Sequence, residues 1–540
     1  MLPADRKPKQ EEILAAQKIL ADISSGIYRS PAAALKELIS NAYDADATRV
    51  TITTDAPNFR ILTIQDNGIG MTIEKFKNVI HHIGGSSKRI DGDISSRGRK
   101  LIGRIGIGML AVAQMSNHFY VSSSVKGQST RFIAEVNLEP FHKDDIALRS
   151  MGKIKDEGQV HIGAVKYVDD IPEKDNVQYT VITVPDAKKG LISEINSSLR
   201  KKVGAKERLS IEKKNISDFD ELIEVVRASK RADLDLDGYY YMLWELALLC
   251  PLNYSRRGLF ETSKRKIENR EDFRFEAIKD FKIEVDGIEL FRPQVFPNIC
   301  AIHYPSPNPK VYALEYDSEI AGRRLKFHGY IYNQQPRIDP EELKGIHIRI
   351  RNVGIGKYDK SCLGYPFDES IRFGQISGEI YVDEGLEPAL NIDRDSFRET
   401  DVHYQAMRMH IWEVLQTEVF PGIKSRAADF RQKKRNKIQR VQIEKFTEAV
   451  LQLPAPLVDT AEIKRDITPS ISDWIEVDES KLIIDKAKWD EFAEKNDVSK
   501  NETRDRFLRV LSVLVSSELL TDLTQDEVNT LLQALALAVR

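Results

Sequence analysis

Three features of the 540-residue sequence predict an α+β protein, with an α/β layer sandwich first, a second α/β domain, and a helical C-terminal region. Helical and strand patterns alternate from residue 11 to about 187. Strand alternation returns between about 316 and 400, and helical periodicity dominates from 401 onward. A chain this long exceeds a single core, so the length predicts roughly three or four domains. The expected division is 1–187, a charged and partly helical connection over 188–315, a middle domain over 316–400, and 401–540.

Taken in order, the periodicity predicts a helix over 11–24 and a second over 31–45. Strands follow at VTITT (50–54), RILTIQD (60–66), HFYVSSS (118–124) and YTVITV (179–184). The connection carries helical stretches at DFDELIEVVRASK and DGYYYMLWELALL. In the middle zone RRLKFHGYIYN, GIHIRIRNVGI and GQISGEIYVDE read as strands. The C-terminal zone holds HYQAMRMHIWEVLQTEVF, the basic run KSRAADFRQKKRNKIQR, and two closing amphipathic helices from about 504 and 526. LPAPLVDTAEIKRDITPS has the Pro and Ser/Thr content of a linker.

Composition excludes several classes. The chain is 41% hydrophobic and 30% charged with a net charge of -3, so no global charge bias points to nucleic acid or membrane. Cys250, Cys300 and Cys362 are odd in number and widely spaced, against a disulfide framework or zinc site and in favour of a reducing compartment. No apolar run approaches the ~20 residues that span a bilayer, and the polar start MLPADRKPKQEE lacks a signal-peptide core. A cytoplasmic protein is expected.

Three motifs carry chemistry. In ALKELISNAYDAD (34–46), Leu35, Leu38, Ile39, Ala42 and Ala45 share a core-facing side. Glu37, Asn41 and Asp44 share another, within about 60° at about 3.6 residues per turn. Such a stripe is either a solvated face or a ligand face. Next, the strand ILTIQ runs into Asp66-Asn67-Gly68-Ile69-Gly70-Met71, a tight turn at which a ligand can approach backbone. Finally, Gly103-Arg104-Ile105-Gly106-Ile107-Gly108 feeds the helix MLAVAQM, whose N-terminal amides suit phosphate. It lacks the Gly-Lys-Ser/Thr of a Walker loop and the βαβ context of a dinucleotide fingerprint.

In this order and spacing, ELISNAYDAD, DNGIGM and GRIGIG resemble the GHKL superfamily, the ATP-binding (Bergerat-type) fold of gyrase, ninety-kilodalton heat-shock chaperones, histidine kinases and MutL. The resemblance covers residues 11 to about 187, with YTVITV as the last, threonine-bearing strand. It implies a two-layer α/β sandwich that binds and hydrolyses ATP with Mg²⁺. By position it assigns Glu37 as the general base that orients water and Asn41 as the Mg²⁺ ligand. It assigns Asp66 as acceptor of the adenine amine, with Thr180 beside it, Gly70 and Met71 against the ring, and Gly103, Gly106 and Gly108 as phosphate-wrapping lid glycines. Ser87 and Lys88 occupy the place of a MutL-type Ser-Lys near the phosphates. Lys100 and Arg104 stay open between phosphate contacts and a solvated loop, and Asp44 between a supporting role and helix surface. Tyr179 departs from the glycine usual before the threonine, and Met109 from an aromatic or lysine after the last glycine.

The opening GIYRSPAAALKELISNAYDADATRVTI resembles MutL and microrchidia ATPases, whereas the middle zone resembles the chaperones. There DEGLEPALNIDRDSF looks like the loop that brings Arg394 to the γ-phosphate, with Asn391 holding the loop; the alternative for Arg394 is a salt bridge to Asp393 or Asp395. The expected function is an ATP-hydrolysing, chaperone-like clamp that closes a lid and pairs two nucleotide domains. A homodimer is expected, with a constitutive contact from the seam Phe507, Leu508, Leu511 and Leu514; the alternative for that seam is packing within its own bundle. Two alternatives stand beside it. One is a clamp on duplex DNA, suggested by the basic runs Arg256–Lys266 and Lys424–Arg440. The other is an ATP sensor of a defence or stress system with a protein partner.

Overall fold

Why residues 31–44 form a helix is legible locally. Ser30 caps the first turn, its hydroxyl accepting from Ala33 N–H at 3.2 Å, and Pro31 occupies the first turn, where its missing N–H costs nothing. Strong helix formers carry it to Asp44; Asp46, at φ +58°, then turns the chain left-handed and ends it. A computed structural model describes residues 2–3, 6–16, 30–81, 95–99, 101, 108–138, 154–155, 159–196, 216–228, 238–255, 266–273, 278, 280–293, 306–338, 341–391, 395–451, 462–464, 474–478, 481–516, 520 and 523–539. These fall into two units, Met1–Lys424 and Ser425–Arg540.

The first unit begins with strand β1 (Lys9–Ala16), followed by helix α1 (Pro31–Asp44), β2 (Arg49–Thr53), β3 (Leu62–Asp66), α2 (Ile73–His81) and α3 (Gly108–Met115). Strands β4 (His118–Ser124), β5 (Thr130–Leu138), β6 (Ile154–Lys155), β7 (Gln159–Pro172) and β8 (Tyr179–Val184) come next. Helices α4 (Lys189–Ile195), α5 (Phe219–Ala228) and α6 (Gly238–Leu249) precede β9 (Lys282–Val285) and β10 (Ile288–Glu289). The sheet runs β1-β7-β5-β4-β8-β3-β2-β9-β10, with β6 on β7. Helices α1, α3, α4 and α6 pack on one another and share one core with the sheet.

Two expectations change here. The stretch from residue 11 is a strand rather than a helix as far as Ala16: Lys9–Ala16 pairs antiparallel with β7 and buries Ile13, so edge pairing outweighs the helical propensity of its Gln, Glu, Ala and Leu residues. Residues 17–24 lie outside the described residues. The sheet also extends past 187, because β9 lies parallel to β2 and α6 packs on α1.

The second sheet contains β11 (Lys310–Ile320), β12 (Arg323–Asn333), β13 (Gly345–Ile350), β14 (Val353–Asp359) and β15 (Ile376–Glu384), in the order β11-β12-β15-β13-β14. Arg351 and Asn352, at φ +51° and +67°, make the two-residue turn between β13 and β14. Short helix α7 (Ser370–Phe373) leads into β15; helix α8 (Val402–Val414) and one π turn (Leu415–Val419) pack beneath the sheet. Alternate residues of β12 serve different cores. Tyr330 and Tyr332 join the first, whereas Leu325, Phe327 and Ile331 join the second. Burial on both faces is why β13 and β15 read as almost unbroken buried runs.

A charged hub lies where α6 meets this sheet. Arg349 Nε donates to Glu379 Oε1 at 2.6 Å, and the hydroxyls of Tyr330 and Tyr381 donate to Oε2 at 2.9 and 3.0 Å, joined by that of Tyr254. Arg292 and Arg349 both donate to the Asn352 carbonyl, at 3.0 and 3.2 Å. Burial alone would raise the Glu379 carboxyl, but Arg349, Arg292 and the Tyr254 hydroxyl outweigh it and hold it well below the usual range.

Helix α9 (Phe420–Leu451) starts in the first unit. The rest of the second unit holds a small sheet, β16 (Glu462–Lys464), β17 (Ile475–Asp478) and β18 (Lys481–Asp485) in the order β16-β18-β17. Helices α10 (Lys486–Lys495), α11 (Asn501–Ser516) and α12 (Gln525–Val539) follow. The C-terminal region is therefore not wholly helical, and part of the expected linker is β16. The seam Phe507, Leu508, Leu511 and Leu514 is buried within this unit's own core, beside Trp489, Leu532 and Leu535. Of the two readings of that seam, the intramolecular bundle holds. Among the described residues, no helix is long and apolar enough to cross a membrane.

Because Arg349 and Glu379 are at most 2% exposed, removing one strands the other's charge. Glu379→Ala is expected to cost about 3–5 kcal/mol in a denaturant titration. Glu379→Gln, which keeps hydrogen-bonding capacity, is expected to cost less.

Candidate functional site

The site assembles around the C-terminal half of α1 and the ends of β3, β4 and β8. Asp66 closes β3 opposite Thr180 of β8. Its carboxylate accepts from Gly68 N–H at 2.8 Å and from the Thr180 amide. The Thr180 hydroxyl lies 3.1 Å from Ser123 Oγ, which donates to Tyr179 O at 2.7 Å and accepts from Met71 N–H at 2.9 Å. One hydroxyl thus ties the Asp-Asn-Gly turn to the two strands beside it. Ser123 was not singled out in the sequence; its only local signal is a place in the run SSS.

The turn has two further anchors. Ile69 N–H donates to Ala45 O at 2.8 Å, joining the turn to the end of α1. Asn67 Oδ1 accepts from Thr48 and Arg49 N–H at 2.8 and 2.9 Å, squaring the start of β2. Gly70 needs to be glycine for reasons within the protein: its φ is +69°, and a Cβ there would collide with the Ser124 carbonyl. Met71 is half-buried against the first core.

On α1, Glu37 is 2% exposed and Asn41, one turn later, is half-buried. The solvated-face reading therefore fails for Glu37. The Asn41 side chain makes no hydrogen bond to another described residue, leaving its amide oxygen able to ligate a hard cation. Among the described residues no cluster of three His, Cys, Asp or Glu could hold a metal alone. A Mg²⁺ ion here would take the rest of its ligands from phosphate oxygens and water, as that ion commonly does. Asp44 is half-buried; the Tyr43 hydroxyl is pushed up chiefly by burial, opposed by Arg99, with Asp44 adding a smaller push. Gly108 is the first residue of α3. Ser87, Lys88, Gly103, Gly106 and Arg394 lie outside the described residues, as do Lys100 and Arg104.

Residues 95–99 make a clasp that sequence reading missed. Asp46 accepts from the Ser95 and Ser96 hydroxyls at 2.5 and 2.6 Å and from Arg97 N–H at 3.2 Å. Burial pushes the Asp46 carboxyl up, but these donors and Arg99 bring it below its ordinary value. Arg99 donates to Ala47 O at 2.7 Å and to Asp280 O at 3.0 Å, and lies 4.5 Å from the Tyr43 ring centre. This stretch, which sits between two candidate phosphate segments, is thereby held to the end of α1. An aspartate in NAYDAD and serines fifty residues later give no local signal of their pairing.

Asp66 differs from Asp46 in outcome. Burial pushes its carboxyl up to about 6, and the Gly68 and Thr180 amides only partly offset this. The folded state therefore holds this proton more tightly than the unfolded chain. That contribution is fully present below the ordinary carboxylate value and is lost as pH rises through about 6. Asp66→Asn is expected to raise stability at pH 7.5 by on the order of 1–3 kcal/mol and to flatten the pH dependence between about 4 and 6. Thermal melting across that range tests both.

Residues 28–160 match the family described as histidine kinase-, DNA gyrase B- and HSP90-like ATPases. A protein of Herpetosiphon aurantiacus named as type II restriction enzyme HgiDII is 38% identical over 127 residues, 24% of this chain and 19% of that one. The DNA mismatch repair protein MutL of Anaplasma phagocytophilum is 32% identical over 117 residues, 22% of this chain and 18% of its own length. Mlh1 of Dictyostelium discoideum is 41% identical over 59 residues, 11% of this chain and 7% of its own. The chain thus matches less than a fifth of the length of each of these relatives. Glu37, Asn41, Asp66, Gly70 and Met71 all lie inside the matched span, whereas the second sheet and the C-terminal unit lie outside it. Residues 28–160 are thus similar to the GHKL ATPases, with MutL among the relatives.

Proposed function

We propose that the chain is a Mg²⁺-dependent ATPase whose nucleotide cycle drives a clamp. The observation that carries this reading is a buried carboxylate, Glu37, one helical turn before the half-buried amide of Asn41. Asn41 would help hold a Mg²⁺ ion, which would neutralise charge on the phosphates. Glu37 would orient water and accept its proton. Asp66, ionised, would accept from the adenine amine, with Thr180 beside it, while Gly70 and Met71 border the ring. Gly103, Gly106 and Gly108, with Ser87 and Lys88, would enclose the phosphates. Arg394 would meet the terminal phosphate from the loop after β15. Closure of the segment 80–101 and pairing of two nucleotide domains would then follow ATP binding.

A second observation favours duplex DNA over a protein client as what the clamp acts on. Arg431 and Arg435 lie on one flank of α9 and Lys433 and Lys437 on the opposite one, with Lys434 between them, and all five are exposed. The relatives named above, mismatch repair proteins and a restriction enzyme, support the same choice. The chaperone-like role has only the resemblance of the middle zone behind it. An ATP sensor with little turnover is the outcome that no hydrolysis would favour.

Steady-state Mg-ATP turnover with and without linear duplex tests both parts. Slow turnover is expected, abolished by Glu37→Ala with ATP still bound, and by Asp66→Asn through loss of binding. ATP affinity should weaken as pH falls through about 6, since protonation removes the charge that strengthens acceptance from the adenine amine. Wild-type protein that binds ATP and never turns it over would remove the hydrolytic role. Duplex affinity should fall steeply with salt, and Arg435→Glu with Lys437→Glu should reduce the log–log slope by about 2. An unchanged slope would take α9 out of any DNA contact.

A further inference from the structure

The second sheet touches the nucleotide helix beside its reactive carboxylate. Lys36, immediately before Glu37, is 1% exposed, and its ammonium lies 3.4 Å from Asp395 Oδ1. Asp395 belongs to the loop after β15. That loop is closed at its base by Asn391 N–H to Ser396 O at 3.0 Å, Asn391 Nδ2 to Ser396 Oγ at 2.8 Å, and a bridge between Leu390 and Phe397. On its other side the loop rests on β14, where a Cβ on Gly356 (φ +65°) would lie 2.6 Å from Asp395 O. His347 is 3.1 Å from the Gly356 carbonyl, and burial next to Arg349 keeps this histidine neutral, so its Nε2–H donates.

The same turn of α1 and the charged hub both lie near Cys250. Cys250, at the end of α6, is fully buried and its thiol is pushed up to about 12 by burial. The charges that also act on it are those of Lys36, Arg349, Arg292 and Glu37, which places α1 and the hub in one low-dielectric neighbourhood. A buried ammonium keeps its charge only where a counter-charge accompanies it. The ion pair to Asp395 therefore ties the loop after β15 to the turn of α1 that carries Glu37.

We propose that Lys36 is a positioning residue, and that its ion pair with Asp395 couples seating of the second-sheet loop to the setting of the adjacent Glu37. The pair then licenses hydrolysis without contributing to nucleotide affinity. This rests on the assignment of Glu37 given under Proposed function, and extends it to two residues that the proposed chemistry does not use.

The experiment uses the full chain with Lys36→Met, Asp395→Asn, their combination, and the conservative Lys36→Arg and Asp395→Glu. Each neutral variant is expected to lower kcat at least about tenfold while KM and the Kd of a non-hydrolysable ATP analogue move less than about threefold. The double variant should be no slower than the worse single one, because both remove one interaction. The conservative variants should recover most of the rate. In hydrogen exchange, peptides covering 389–398 should become protected on binding the analogue in wild type and not in Asp395→Asn. Asp395→Asn is a change on a loop and serves as the informative variant if Lys36→Met melts early. Wild-type rates in Asp395→Asn, additive losses in the double variant, or protection of 389–398 that survives Asp395→Asn would overturn the coupling. Absence of turnover in wild type would instead strike the Glu37 assignment, and the exchange measurement would still decide whether the loop is held by this pair.

Discussion

Burying two charged side chains in succession on one helix is the constraint that organises the first unit. A helix of a two-layer sandwich ordinarily turns its charges to water. Here α1 is covered by α3 and α6, and Lys36 and Glu37 are both sealed in. Charges at such depth persist only with partners, so other parts of the chain have to arrive at this turn. Asp395 comes from the loop after β15, and the Arg349–Glu379 hub lies just beyond Cys250. Helix α1 is therefore in contact with the loop that follows β15.

Asp66 and Asp46 show how the same residue type is set to different tasks by its neighbours. Asp46 receives two hydroxyls and an amide and is used up in holding residues 95–99. Asp66 receives two amides, and burial outweighs them, pushing its carboxyl up to about 6. A carboxylate that burial disfavours is a cost to the fold, and under the proposed assignment a donor such as the adenine amine would offset part of it.

The second sheet owes its role as a connector to its two buried faces. Alternate side chains of β12 feed two cores, and the tyrosines on one face converge on the single Glu379 carboxylate. Apolar contact alone would let such layers slide; a buried hydrogen-bonded charge network resists sliding because each displaced group would lose its partner. The loop that carries Asp395 is rooted in this rigid body through β15.

Features that a few neighbouring residues encode could be read directly from the chain. The Ser-Pro start of α1, the stripe Glu37-Asn41-Asp44, the positive-φ glycine after Asp66 and the period-two strands of the second sheet were all legible, and the ordered motifs identified the superfamily. Tertiary structure decided the rest. It made a strand of Lys9–Ala16, whose composition suits a helix, because β7 offered an edge. It carried the first sheet on to β9 and β10, turned the Phe507–Leu514 seam inward, and paired Asp46 with serines fifty residues on. It also set Lys36 against an aspartate 359 positions later. Periodicity and turn chemistry act over one or two helical turns, whereas burial and charge pairing depend on which distant surface arrives, and that is a property of the folded whole.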